Sequence, residues 1–108
     1  MHITIEALES YLADRYGGWA NEQSMFMKLV EEMGEVAEVL NKKVGRKAND
    51  EDNINEHLGI ELADMIHYIL AIAALNNLDM ERIILEKDKN ASIKYNHDIN
   101  LEQFLANR

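Results

Sequence analysis

The chain contains no proline, and this absence constrains its fold more than any other single feature. Proline interrupts helices because it lacks a backbone N–H and clashes with the preceding turn. The other strong helix breakers are five glycines, at Gly17, Gly18, Gly34, Gly45 and Gly59. Long windows are therefore free to be helical. We predict an all-α fold with four main helices and a short C-terminal helical arm, in one domain over residues 1–108.

Capping residues and glycines delimit these helices. The sequence predicts a first helix capped by Thr4 and ended by Gly17-Gly18, a second from Asn21 or Ser24 to Gly45, a third over about Asn53 to Asn76, a fourth over Met80 to about Tyr95, and an amphipathic arm after Asn100. A polar connection from Arg46 to Asn53 separates the second and third helices.

Apolar residues recur at helical spacing on the two long central helices. They are Phe26, Leu29, Met33, Val36 and Leu40 on the second helix, and Leu58, Leu62, Met65, Ile69 and Ile72 on the third. The third helix is also apolar on its other sides, so four short helices cover it poorly. We predict a homodimer or homotetramer in which a partner subunit packs against Ile66, Leu70 and Ala73.

Composition excludes several classes of function. Eleven basic against twenty acidic residues give a net charge of −9, which argues against a nucleic-acid partner or an anionic membrane surface. There is no cysteine, so disulfides and thiolate metal sites are excluded. No signal peptide is apparent, and the apolar run Met65 to Leu75 is too short to span a bilayer. We expect a cytoplasmic protein.

Two groups of carboxylates lie on the second and third helices: Glu31, Glu32, Glu35 and Glu38, then Glu61 and Asp64. Rotation by 100° per residue puts Glu32 and Glu61 at the rims of the apolar stripes, with Glu35 and Asp64 about 60° further out. If the helices pack antiparallel, these four residues offer oxygen ligands to one cation. Mg²⁺ prefers such ligands, and we expect Mn²⁺ to substitute for it. The alternative is an ordinary solvated face, although residues 31–38 contain no base and Lys28 is the nearest cation.

These residues resemble the MazG-like all-α nucleoside triphosphate pyrophosphatases. Residues 28–38, KLVEEMGEVAE, are similar to that family's first motif helix, and residues 61–68, ELADMIHY, to its second; Lys87, Asn90, Lys94 and Tyr95 resemble its closing segment. The resemblance implies a Mg²⁺-dependent, oligomeric helical bundle that cleaves a nucleoside triphosphate to the monophosphate and pyrophosphate. It matches Glu32, Glu35, Glu61 and Asp64 to metal ligands, Tyr68 to a nucleotide contact, and Lys87, Asn90 and Lys94 to the phosphate side.

The chemistry of phosphoryl transfer at such an acidic site suggests a mechanism with further roles. Glu35 or Glu31 would orient or deprotonate the attacking water, Lys28 would bind substrate, and Trp19 with Tyr68 would stack on the base. Each residue also has a simpler interpretation. In these interpretations, the lysines of the fourth helix balance the negative charges of Glu86 and Asp88, and Trp19 is a core plug. His57 and His67 are then hydrogen-bonded core residues rather than ligands. Two alternative functions remain open, a di-iron carboxylate bundle and a non-enzymatic acidic interaction module.

Overall fold

The computed structural model describes residues 1–46, 49 and 52–108. Within them the chain forms five helices and no strand: α1 (Ile5–Tyr16), α2 (Glu22–Lys43), α3 (Ile54–Leu75), α4 (Met80–Lys94) and α5 (Leu101–Ala106). The prediction of an all-α fold with four main helices and a short arm is confirmed. Part of the predicted connection 46–53 lies outside the described residues.

Each helix begins at a side chain that accepts a hydrogen bond from a backbone N–H three residues further on. The caps are Thr4, Asn21, Asn53, Asp79 and Asn100, with N···O distances between 2.8 and 3.2 Å. A cap of this kind is worth about 1 kcal/mol of helix stability. Asn21, not Ser24, therefore caps the start of the second helix. The backbone N–H of Ser24 donates to Asn21 Oδ1.

The Gly17-Gly18 pair ends α1 through two different properties of glycine. Gly18 has φ +86, a left-handed conformation that side chains with a Cβ disfavour. Gly17 is not left-handed, but a Cβ there would lie 2.5 Å from the carbonyl oxygen of Ala13. The backbone N–H of Ala20 donates to the carbonyl oxygen of Tyr16 at 3.0 Å, which closes the turn just before α2 begins.

The core joins α1, the start of α2 and the second half of α3. It consists of Leu12, Tyr16, Met25, Leu70, Ala71 and Ala74. The most extensive packing is between α2 and α3, followed by α1 on α3, whereas α4 packs mainly on α5 and α1. The N–H of Leu101 donates to Asp88 Oδ2 at 2.6 Å, which attaches the arm α5 to α4.

The apolar residues of α2 lie on two different faces of the helix, one buried and one exposed. Met25 and Val39 are buried inside the chain, with Leu29, Glu32 and Val36 half-buried beside them. Phe26, Met33 and Leu40 belong to the apolar stripe found in the sequence, but they do not lie in the core, because all three are about half exposed. Together with Val30 and Ala37 they form a separate exposed seam with a spacing of four and three residues.

The predicted partner face of α3 also needs correction. Leu70 and Ala73 are each 4% exposed, so they are buried within the chain and are not available to a partner. Ile66 is half exposed, and Leu62 and Ile69 have similar exposures. These three residues, and not Leu70 and Ala73, form an exposed apolar strip along α3, while Ile60 is exposed on a different face of the same helix.

The helices are arranged openly. The radius of gyration is 17.0 Å, against about 13 Å for a compact chain of this length. By length and composition the complete helix α3 is apolar enough to cross a membrane, although the apolar run Met65 to Leu75 makes up only its second half. The core helix of a soluble protein passes the same criterion.

Candidate metal centre

The candidate site lies between α2 and α3, which run antiparallel. Near one end of the pair, Asn76 Nδ2 donates to Glu22 Oε2 at 2.6 Å. Towards the other end Glu35 lies beside His57 and Glu61. As residue numbers increase along α2, the numbers of the facing residues on α3 decrease. The two helices are therefore antiparallel, as the predicted site requires.

This register brings carboxylates together in two overlapping clusters. Glu32, Glu61 and Asp64 form one, and Glu35, His57 and Glu61 form the other; in each, the potential ligand atoms lie within 4.8 Å of one another. Glu61 belongs to both. All four predicted ligands are therefore at the site, but Glu35 is grouped with Glu61 and a histidine rather than with Glu32 and Asp64.

The first cluster concentrates negative charge at a partly buried position. The pKa of Glu32 is raised from 4.5 to about 7, mainly because a hydrogen bond with Glu61 favours the protonated carboxyl group. Burial raises it further, as does repulsion from the charges of Glu61, Asp64 and Glu35. A divalent cation would relieve this repulsion, so the donor set fits a hard metal ion.

Tyr68 and Lys28 border the cluster, but Glu31 points elsewhere. The pKa of the Tyr68 hydroxyl is raised, first by burial and then by Tyr16, with contributions from the nearby charges of Glu32 and Asp64. The charge of Lys28 acts on the same hydroxyl in the opposite direction. Lys28 Nζ also lies 3.5 Å from Glu31 Oε2, in an ion pair that is largely exposed. Glu31 is in neither carboxylate cluster.

A series of ring contacts connects Tyr68 through His67 to Tyr16 on α1. The Tyr16 hydroxyl and His67 Nε2 are 2.6 Å apart in a hydrogen bond, and the rings of His67 and Tyr68 meet edge to face with centroids 5.0 Å apart. His67 is thus a hydrogen-bonded residue, as predicted, and is directed to α1 rather than to the carboxylates.

Trp19 is not a core plug. Its side chain is on the surface, with 70% of the residue exposed. Its indole Nε1–H donates to the backbone carbonyl of Arg15 at 2.7 Å, and its ring centroid is 5.6 Å from that of Tyr16. An exposed aromatic ring held in one orientation is available for stacking.

The predicted phosphate-side residues do not join the carboxylates within one chain. Lys87, Asn90 and Lys94 are exposed on α4, a helix that packs mainly on α1 and α5. Lys94 Nζ lies 5.3 Å from the ring centroid of its neighbour Tyr95. The site between α2 and α3 and the basic residues of α4 are separate surfaces of the single chain.

His57 is the site residue that the sequence reasoning set aside. Its Nε2 lies 3.3 Å from Glu61 Oε1, and it belongs to the second cluster. The available signal was its spacing, because a residue four positions before Glu61 lies on the same face of a helix. A histidine on a mostly apolar helix is more often a hydrogen-bonded core residue than a ligand, so the spacing by itself did not identify His57.

Comparison with protein families identifies the domain that contains this site. Residues 20–92 match the family model of the MazG nucleotide pyrophosphohydrolase domain. The chain belongs to the MazG family. The match covers α2 and α3, and therefore both carboxylate clusters, together with most of α4. Comparisons with curated proteins and with solved structures gave no match.

Membership of the MazG family implies a hydrolase that acts on the phosphoanhydride bonds of nucleotides. The substrate is accordingly a nucleotide. The family is typically metal-dependent, and the acidic residues between α2 and α3 are able to hold a metal ion. Residues before Ala20, including Tyr16 and Trp19, are outside the matched region.

Proposed function

We propose that this chain is a Mg²⁺-dependent nucleoside triphosphate pyrophosphohydrolase that releases pyrophosphate and a nucleoside monophosphate. Residues 1–108 would act as one domain, and the substrate is a ribo- or deoxynucleotide, including non-standard ones. The observation that carries this proposal is the convergence of Glu32, Glu61 and Asp64 from two antiparallel helices that both lie within the family match.

The proposed metal ligands are Glu32, Glu35, Glu61 and Asp64. Glu32, Glu61 and Asp64 would bind directly through oxygen, and the raised pKa of Glu32 supports a site that is short of positive charge. When bound, Mg²⁺ neutralises charge on the triphosphate and acidifies the attacking water. Phosphoryl transfer depends mainly on such positioning and charge neutralisation.

Other side chains would orient the reactants. Glu35 is the exposed member of the clusters, so it is the better placed of the two predicted bases to accept a proton from water. Glu31, which pairs with Lys28, would hold that lysine near the entrance to the site. Tyr68 and Trp19 would contact the base, since one borders the carboxylates and the other presents an exposed ring.

We propose that two copies of the chain assemble through the open faces of α2 and α3. Phe26, Val30 and Met33 on α2, and Leu62, Ile66 and Ile69 on α3, are each between 42% and 53% exposed. Rotation by 100° per residue puts the three residues of each helix within about 60° of one another, so each set forms one continuous seam. Burying them in a dimer would form a four-helix core, for which a four-three spacing is suited.

Such an assembly also offers a place for the basic residues of α4. Lys87, Asn90 and Lys94 are away from the carboxylates of their own chain, so a phosphate role for them requires either another copy or closure around substrate. We propose that they bind phosphate oxygens that the metal ion does not reach.

The two alternative functions have less support. A di-iron bundle needs a Glu-x-x-His motif on each of two helices, and the nearest approximation, Asp64-x-x-His67, has its histidine bonded to Tyr16. An acidic interaction module does not explain why residues 20–92 match a nucleotide pyrophosphohydrolase domain.

Pyrophosphate release from a panel of nucleoside triphosphates tests the proposal. The wild-type chain should release pyrophosphate with Mg²⁺ and not with a chelator. Asp64→Asn should lower the rate at least about 100-fold, because it removes a charged metal ligand from the site. Asp98→Asn is the matched control, since Asp98 is exposed in the turn before α5, and it should retain the wild-type rate.

Circular dichroism of each variant would establish that helicity is unchanged. Activity that survives Asp64→Asn would reject the ligand assignment. Absence of hydrolysis with every nucleotide, in a chain that is folded and loaded with Mg²⁺, would reject the enzyme.

A further inference from the structure

The second cluster differs in chemistry from the first, because one of its three donors is a nitrogen. His57 is on the first half of α3, one turn before Glu61, and Glu35 reaches the pair from α2. The three potential ligand atoms lie within 4.8 Å of one another. His57 is half-buried, and its spacing of four residues from Glu61 on the same helix keeps the two side chains on one face of α3.

The first cluster has no such donor. Glu32, Glu61 and Asp64 offer only carboxylate oxygens, which suit Mg²⁺. Imidazole nitrogen is a poor partner for Mg²⁺ but a common ligand of first-row transition-metal ions, whose affinity for nitrogen exceeds that of Mg²⁺. A carboxylate has two oxygens, and Glu61 is common to both clusters, so it is able to contact an ion in each.

We propose that Glu35, His57 and Glu61 form a second cation position that takes a divalent transition-metal ion in preference to Mg²⁺, with His57 Nε2 as the selecting ligand. This inference rests on the proposed function, because it extends the same metal centre. It concerns which ion the centre takes and which residue decides it. The enzyme would then bind Mg²⁺ at the all-oxygen position and a metal such as Mn²⁺ at the position beside His57.

Mn²⁺ is the probe that reports on the ligand directly. Electron spin-echo spectroscopy of the full chain with bound Mn²⁺ should show modulation from a directly coordinated ¹⁴N nucleus. The modulation should disappear in His57→Ala and persist in His97→Ala. His97 is a suitable control because it is exposed outside the helices and its ring lies against Tyr95.

Binding measurements test whether the site prefers Mn²⁺ to Mg²⁺. Titration calorimetry should show that His57→Ala weakens Mn²⁺ binding by at least about 10-fold, as expected for loss of a metal-binding group. Mg²⁺ binding should change by less than about 3-fold, because the all-oxygen cluster is intact. His57→Gln, which is closer in size, should give the same loss of the ¹⁴N signal if the alanine variant is poorly folded.

The outcomes separate this inference from the proposed function. Mn²⁺ bound without ¹⁴N modulation, or modulation that survives both His57 variants, would overturn the role of His57 while leaving the carboxylate site intact. In that case His57 serves only as a neighbour of the Glu61 carboxylate. Failure of the wild-type chain to bind either ion would overturn the metal centre itself, and this inference with it.

Discussion

Replacement of Glu32 by glutamine should stabilise the metal-free protein at neutral pH. The amide keeps the shape of the side chain and its capacity for a hydrogen bond to Glu61, but it removes one charge from the cluster. The raised pKa of Glu32, about 7 against 4.5, corresponds to about 3 kcal/mol at 1.36 kcal/mol per pKa unit. Solvent screening at this partly exposed position reduces the expected effect to about 1–2 kcal/mol.

The pH dependence of this effect has a definite sign. In the unfolded chain Glu32 loses its proton near pH 4.5, whereas in the folded chain it keeps the proton until about pH 7. The contribution of Glu32 to the stability of the wild-type protein therefore falls as the pH rises from 4.5 to 7, and the fall is complete above that range. Glu32→Gln lacks this contribution, so it should match wild type at pH 4 and exceed it by about 1–2 kcal/mol at pH 8.

Urea unfolding followed by circular dichroism, with a chelator and at one protein concentration, measures this difference. Glu31→Gln is the control, because Glu31 is an exposed neighbour, and its free energy of unfolding should stay within about 0.5 kcal/mol of wild type. With Mg²⁺ at 100 times its dissociation constant, wild type should gain about 2.7 kcal/mol and Glu32→Gln much less. A glutamine variant that is less stable than wild type at pH 8 without metal would refute the electrostatic argument.

Three further substitutions test other parts of the account. Trp19→Ala should raise KM for the preferred nucleotide at least about 3-fold, because the proposed role of the ring is stacking. The melting temperature should change little, because the ring is exposed. An unchanged KM in steady-state assays would exclude the stacking role. Tyr16→Phe should cost about 1 kcal/mol in urea unfolding through loss of the hydrogen bond to His67, and no loss would mean that water replaces it. Met33→Asp should convert the assembly to monomers in light scattering, whereas an unchanged mass would place the interface elsewhere.

Local signals in the sequence were sufficient to predict the helices. Thr4, Asn53 and Asp79 cap helices at the expected positions because capping depends on a side chain and a backbone N–H only three residues apart. The face of α2 that packs inside the chain was not predictable in the same way. Phe26 and Met25 are both apolar and adjacent, and only the position of α3 decides which of them is buried.

The candidate site was predictable in composition but not in grouping. Helical rotation placed Glu32 and Glu61 at the rims of their apolar stripes, and antiparallel packing of two long regular helices then brings them to facing positions. The separation of Glu35 from the first cluster and its pairing with His57 depend on side-chain directions across the helix pair. The position of α4 depends on its contacts with α1 and α5, which no local pattern in residues 80–94 reveals.

A crystal structure with Mg²⁺ and a non-hydrolysable nucleoside triphosphate analogue would show whether the metal ion binds between α2 and α3. We expect the ion between α2 and α3, with oxygens of Glu32, Glu61 and Asp64 at about 2.1 Å and the triphosphate on its open side. These three side chains turned into solvent, with the ion and the nucleotide bound at another surface, would contradict the account.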